Sequence, residues 1–399
     1  MHIAVFSQYH TNPDCPATSR HYTLLAHIAR THRVTLITTR TWERQRLTEQ
    51  FPWVPEGVEL RAAQVPYQNQ MGVLRRGVAF GQYAAYAVRE GLRIDRPDVI
   101  WGISTPLTAA WAAAQVARWR RVPWVFEVQD LWPSFPIAMG AVPNQWAQRG
   151  LFALEKSLYQ SARHILPLSP DMTSYVRELG VPADKLTTVL NGTDLELAAR
   201  ATDEAVAALR LELQLQGRRV VLYAGTFGRA NNMQLLVDAA VQLAPTCPDV
   251  TWLFIGHGFD EELLQQAAVR YAFIRVIPPQ PRHAVFTWFR LADVSVVSFL
   301  GLPVLDANSP AKLYDSLAVG TPVIVTNAGW TRDLVETSGC GWYSPATDAS
   351  VLSALLSSLF ASPAVVKAAG EAGHRVANVS FNRQQLAGVV QDILERAAE

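Results

Sequence analysis

Short apolar runs alternate with helix-patterned stretches along nearly the whole chain, and the alternation happens twice. In the first half the runs are His2–Ser7, Val34–Thr39, Val58–Val65, Val99–Ser104, Trp124–Val128 and His164–Ser169. After Leu186–Asn191 and a more polar stretch, Asn191–Gly217, the rhythm restarts at Val220–Ala224, Thr251–Ile255, Ile274–Ile277, Val294–Phe299 and Pro322–Thr326. Parallel neighbours need a crossover long enough to hold a helix, so this alternation is how a doubly wound parallel sheet is written. The reading is α/β: two Rossmann-like, doubly wound parallel-sheet domains in tandem, with a cleft between the carboxyl ends of their strands, where such sheets bind ligands. The first domain is assigned to residues 1–190 plus 378–399 and the second to 191–377. The last segment carries Leu386, Val389, Val390, Ile393 and Leu394 at helical spacing with no strand after it, and is expected to close against the first domain.

At 399 residues the chain is long enough for two or three closed cores. Its three cysteines, Cys15, Cys247 and Cys340, are far apart and share no metal-ligand spacing, so they read as buried free thiols, and no metal site is expected. No run reaches the roughly 18 to 20 apolar residues of a membrane span. The start, MHIAVFSQYHTN, has neither a basic region nor a cleavage pattern, and a cytoplasmic location is expected. Residues 1–190 hold 20 Lys plus Arg against 14 Asp plus Glu, a balance of +6, whereas residues 191–399 hold 15 against 20, a balance of −5. Either one half meets an anionic ligand or surface, or this is ordinary drift. Nucleic acid is not an expected partner, because the basic residues form no recognition motif.

Chemistry is sought where the strands end. The first run leads to Pro16-Ala17-Thr18-Ser19-Arg20, a capped helix start whose arginine suits an anion or simply lies in water. Trp124–Val128 leads to Gln129-Asp130-Leu131-Trp132-Pro133; Asp130, with Glu127 behind it, either binds a sugar hydroxyl as base or clamp, or caps the next turn. Tyr223-Ala224-Gly225-Thr226-Phe227-Gly228-Arg229 joins a strand to a helix and suits a diphosphate: glycine lets backbone approach closely, N–H groups face the ligand, and Arg229 supplies charge. It is not a P-loop sequence. Ile255-Gly256-His257-Gly258 is a second point of close approach.

The last wall is Asn308-Ser309-Pro310-Ala311-Lys312-Leu313-Tyr314-Asp315, which reads as a helix start with Ser309 as cap and Pro310 in the first turn. Lys312 adds positive charge for a phosphate, and Asp315 one turn on can accept hydrogen bonds from ribose hydroxyls. A solvated surface helix fits the same residues, but not the glycine turns at two neighbouring strand ends.

Taken in order, Glu127 to Pro133, Leu168-Ser169 with Asp171-Met172, Asn191-Gly192-Thr193-Asp194, Tyr223 to Thr226 and Ser309-Pro310-Ala311-Lys312 through Gly320-Thr321-Pro322-Val323-Ile324 resemble a family 4 glycosyltransferase of the GT-B fold. The resemblance covers essentially the full length, and the D-L-W-P and S-P-x-K pieces resemble the branch with bacterial O-antigen and capsule aminosugar transferases. It implies a retaining transfer of a sugar, hexosyl or N-acetylhexosaminyl, from a nucleotide donor, usually UDP-linked, to a glycan, lipid-linked or small-molecule acceptor, with no required metal or cofactor. It also implies base and ribose recognition near Gly256, Gly258 and Asp315, diphosphate contacts at Gly225, Thr226, Arg229 and Lys312, donor-sugar contacts at Asn308 and Ser309, and an acceptor side at Arg20, Asp130 and Glu127.

Three departures stand out. Asp130 takes the place of a histidine common in relatives, Ala307 stands where the first of two paired glutamates is usual, with Asp315 a methylene shorter than the second, and Ala17-Thr18-Ser19 replaces a glycine pair. A sugar-nucleotide 2-epimerase or a non-catalytic nucleotide-sugar-binding subunit are the alternatives. Finally, residues 71–96 mix apolar and aromatic side chains with Arg75, Arg76, Arg89, Arg93 and Arg96, which suits either peripheral contact with an anionic bilayer or a core helix with a basic outer face.

Overall fold

A computed structural model describes residues 1–67 and 71–399. The chain forms two compact units: residues 1–190, 307–309 and 383–399 make the first, and residues 191–306 and 310–382 the second. The return to the first unit comes at Arg383 rather than at 378, because the helix Pro363–Ser380 is continuous and belongs to the second unit.

Each unit is built on one six-stranded, all-parallel sheet flanked by helices. The first holds β1 (His2–Phe6), β2 (Arg33–Thr39), β3 (Val58–Ala63), β4 (Val99–Ile103), β5 (Trp124–Val128) and β6 (His164–Pro167) in the order β3-β2-β1-β4-β5-β6. The second holds β7 (Arg219–Ala224), β8 (Val250–Ile255), β9 (Ile274–Ile277), β10 (Val294–Val297), β11 (Val323–Val325) and β12 (Gly341–Tyr343) in the order β12-β11-β10-β7-β8-β9. Both are doubly wound, as the alternation of apolar runs requires. The strand order reverses between β1 and β4 in one sheet and between β7 and β10 in the other, and loops leaving the strands at a reversal diverge and leave room for a ligand.

The central strands are buried on both faces, which is why they read as continuous apolar runs rather than alternating ones. Leu186–Asn191 makes only an isolated bridge, Leu186 to Ile165, and no strand. β12 had no counterpart in the sequence reading, since Gly341-Trp342-Tyr343 holds no aliphatic run of the kind that marks β11.

The final helix, Arg383–Ala398, packs on the helix Arg20–Ile28, and its Val390, Ile393 and Leu394 join Leu24, Leu25 and Ile28 in the first unit's core. Burial of such side chains is worth about 1.5–3 kcal/mol each. Leu394→Ala should therefore cost about 2–5 kcal/mol, read as a lower urea midpoint. An unchanged midpoint would show that this helix is not part of the first unit's core.

Candidate functional site

In the second unit the turns after β7 and β8 lock together through glycine. Gly225 has φ +148 and Gly256 φ +147, and a Cβ on Gly256 would lie 1.9 Å from the Gly225 carbonyl oxygen. Gly258 is equally tight, because a Cβ there would lie 2.6 Å from the Phe227 carbonyl oxygen. Two hydrogen bonds hold the turns in contact, Gly225 N–H to Ile255 O (2.9 Å) and Phe227 N–H to His257 O (2.9 Å). Part of the expected free N–H supply is thus spent within the turns themselves.

Lys312 reaches this place from the helix Ala311–Ala318. Its Nζ donates to the Tyr223 hydroxyl (2.8 Å) and stands 3.9 Å from the centre of the Tyr223 ring and 5.8 Å from that of Phe299. It also comes 3.0 Å from where a Cβ on Gly225 would sit, so a larger residue there would crowd the amine. Tyr223, fully buried at the end of β7, passes its own hydroxyl hydrogen to the Thr226 carbonyl (2.7 Å) and so joins the turn to the lysine. Burial pushes the Lys312 amine down to about 7, and it forms no ion pair among the described residues. A half-buried amine short of negative charge suits an anion.

Thr226 is exposed on the same turn. Arg229 follows it, also exposed, with its guanidinium 3.8 Å from the centre of the Phe259 ring. The structure therefore brings together Gly225, Thr226, Gly256, Gly258 and Lys312, with Arg229 on the turn's continuation, at the reversal point of the second sheet.

Asp315 corrects the reading of a ribose ligand. Both its oxygens take guanidinium N–H groups of Arg282 in a bidentate pair, and Oδ1 also accepts from Thr193 Oγ1 (2.8 Å). Asp315 and Arg282 are both buried. Three of the carboxylate's roughly four acceptor directions are thus filled within the second unit, and breaking the pair with Arg282 would cost about 3–5 kcal/mol. The side chain, shortened by one methylene, is committed to the fold.

Ser309 is corrected as well: it does not cap the helix, whose N-cap position is held by Pro310 in an extended conformation with no side-chain cap bond. Ala307 to Ser309, Asn308 among them, pack with the first unit, where Ser169 Oγ donates to the Ala307 carbonyl (2.6 Å).

In the first unit the expected acceptor-side pair, Arg20 and Glu127, is buried structure rather than an open anion site. Arg20 Nε donates to Glu127 Oε1 (3.2 Å) and Nη1 to the Leu190 carbonyl (2.7 Å). His21 Nε2 (3.0 Å) and Gln129 Nε2 (3.1 Å) also meet Oε1. Burial alone would raise the Glu127 carboxyl, but the charges of Arg20 and His21 outweigh it and hold it at about 2. Ser19 stands at the N-cap of this helix as expected, but its hydroxyl makes no cap bond.

Asp130 is the contrasting case. Its Oδ2 accepts from Thr105 Oγ1 (3.0 Å), no cation among the described residues pairs with it, and burial pushes it up to about 6, opposed by that hydrogen bond. It is ionised at neutral pH and weakly basic, as an acceptor of a hydroxyl proton should be.

Thr105, His21 and Arg282 escaped the sequence reading, and Tyr223, Gln129 and Thr193 stood in its runs without a role. Thr193 lies in the N-G-T-D run, whose spacing gave a place but no role. A groove of about 670 Å³ elsewhere in the second unit is lined by Ala318, Gly320, Gly370, His374 and Arg375 and holds none of the residues above. Among the described residues no group of three or more His, Cys, Asp or Glu is placed to hold a metal ion.

Residues 18–192 match the glycosyl transferase 4-like domain family and residues 218–362 the glycosyl transferases group 1 family. Among curated relatives, the chain is 24% identical over 276 residues to WcaI of Escherichia coli K12, named as a colanic acid biosynthesis glycosyl transferase, covering 66% of each chain. It is 22% identical over 245 residues to AmsK of Erwinia amylovora, an amylovoran biosynthesis glycosyltransferase, covering 60% of this chain and 58% of that one. The matched stretches thus span somewhat under two thirds of these relatives. Among solved structures, Anabaena Alr3699/HepE in complex with UDP shares the fold with a TM-score of 0.70 at 17% identity, over 99% of this chain and 100% of that one.

The interlocked turns make a direct prediction. Gly256→Ala meets both a left-handed backbone and a carbonyl oxygen, and should cost about 3 kcal/mol or more in urea unfolding. Wild-type stability in that variant would mean the two turns are not in contact.

Proposed function

The chain belongs to the family 4 glycosyltransferases of the GT-B fold, in the bacterial polysaccharide branch, and from that premise we propose that it takes its sugar from a nucleoside diphosphate donor, UDP-linked, with retention at the anomeric carbon. The observation that carries the donor assignment is Lys312: an amine without a counter-ion, held on Tyr223 beside two glycine turns. The diphosphate lies against Lys312 and the 225–229 turn, with Arg229 on its outer side. As the bond from the anomeric carbon to the diphosphate breaks, its electron pair goes to the phosphate oxygen, and the two cations neutralise the charge that develops there. Asp130 of the first unit takes the hydrogen bond, and with it the proton, of the acceptor hydroxyl that forms the new bond.

Exposed apolar side chains favour a lipid-linked acceptor. At the start of the helix Val73–Gly91, Val73 (58% exposed), Leu74 (83%) and Val78 (55%) stand beside Arg75 and Arg76, opposite the buried Ala79, Tyr83 and Ala87. A core helix with a basic outer face would not expose these three. Apolar side chains flanked by arginine suit the surface of an anionic bilayer. The paired substitution Leu74→Asp with Val78→Asp should abolish flotation with anionic vesicles while leaving the melting temperature unchanged. Flotation of the wild type that does not depend on anionic lipid would argue for a soluble acceptor.

For the donor site the test is proton linkage. A folded-state pKa of about 7 leaves Lys312 largely neutral at pH 8, and a bound diphosphate restores its charge. Binding of UDP should therefore take up protons at pH 8, read by calorimetry in buffers of different ionisation enthalpy. Lys312→Ala should abolish the uptake and, with Arg229→Ala, slow turnover about a hundredfold or more. UDP binding to wild type without proton uptake, together with normal turnover in both variants, would remove the diphosphate from this place.

A further inference from the structure

Phe259 follows the Gly256-His257-Gly258 turn and adds little to the core, since it is 60% exposed. Its place is nonetheless fixed from both sides. A Cβ on Gly258 would lie 2.6 Å from the Phe227 carbonyl oxygen, and the Asp260 N–H donates to that same oxygen (2.8 Å). The backbone around Phe259 is thus clamped onto the turn that carries Arg229. On that turn the Asn231 N–H closes onto the Gly228 carbonyl (2.8 Å) and the Leu300 N–H onto that of Ala230 (2.8 Å), which fixes the Arg229 backbone as well. Between these anchored points the Arg229 guanidinium carbon stands 3.8 Å from the centre of the Phe259 ring, close enough for the flat face of the cation to lie on it. Burial raises the Asp260 carboxyl and the Arg229 charge opposes it, but no hydrogen bond joins these two side chains among the described residues.

We infer that Phe259 is a positioning residue for the donor site: its ring holds the Arg229 guanidinium by one face and leaves the N–H groups free for the phosphate oxygens of a nucleoside diphosphate. The inference rests on the diphosphate reading of the 225–229 turn given above. A guanidinium is planar, and its five N–H donors lie in its plane. A carboxylate partner would occupy those donors, whereas an aromatic ring takes only the flat side of the cation. An arginine in water samples many rotamers, and a ligand must immobilise it on binding. Here the ring does part of that ordering beforehand, and the contact strengthens once a bound ligand excludes water from it.

Calorimetric titration of UDP into the full chain and its variants tests the assignment. Phe259→Ala and Phe259→Leu should each weaken UDP by about five- to thirtyfold. The melting temperature should not change, because the side chain is exposed. Leucine keeps apolar bulk but offers no π face; Phe259→Tyr keeps the face and should bind UDP as the wild type does. In an Arg229→Ala background, which by itself weakens UDP, Phe259→Leu should cost nothing further, since the ring then has no cation to hold. Wild-type affinity in Phe259→Leu overturns the inference. So does a loss that persists undiminished in the Arg229→Ala background, which would place the ring on the nucleotide itself. Either result leaves the diphosphate reading standing, whereas wild-type affinity in Arg229→Ala overturns both.

Discussion

The site in the second unit depends on a steric constraint: two backbone turns pass so close that neither Gly256 nor Gly258 can carry a Cβ. With 1.9 Å between a hypothetical Cβ of Gly256 and the Gly225 carbonyl oxygen, any other residue would force the turns apart. Their contact fixes the ends of β7 and β8 and leaves beside Gly225 a space wide enough for the Lys312 amine. Tyr223 completes the arrangement from beneath by bonding the lysine and the turn with the same hydroxyl. A helix, a strand end and two turns are thus set relative to one another before any ligand arrives, which is what electrostatic stabilisation of a departing diphosphate requires.

Charge pairing separates the groups that hold the fold from those left for chemistry. Arg20 with Glu127 and Arg282 with Asp315 are buried pairs, each tying together segments far apart in sequence. Removing one partner from such a pair is costly, so these residues are not available to a ligand. Lys312 and Asp130, both partly buried, are shifted, one down to about 7 and the other up to about 6, without a countercharge among the described residues. Each is held by a neutral hydroxyl, from Tyr223 and Thr105 respectively. Strong desolvation without compensation marks a group awaiting a partner from outside the chain.

Much of the fold was legible because a strand buried on both faces must be written as an apolar run. β5 and β9 match the runs Trp124–Val128 and Ile274–Ile277 residue for residue. β12, Gly341-Trp342-Tyr343, was hidden because it lacks the aliphatic run that marks β11, and Ser309 was misread because Pro310, expected inside the first turn, instead takes the N-cap position itself. The glycine turns and Lys312 could be found locally, since strand end, turn and helix start are contiguous in sequence. Asp315 and Arg20 could not. Their partners lie 33 and 107 residues away, and nothing in a single sequence distinguishes an arginine that faces water from one that turns inward to a distant carboxylate.

The central claim, that Lys312 and the Gly225 turn receive the donor diphosphate, is tested most directly by a crystal structure of the chain with UDP. The account predicts a phosphate oxygen within hydrogen-bond distance of Lys312 Nζ, with the Gly225 and Gly256 turns unmoved. UDP bound elsewhere, with Lys312 still turned onto Tyr223 and no phosphate beside it, would contradict the account.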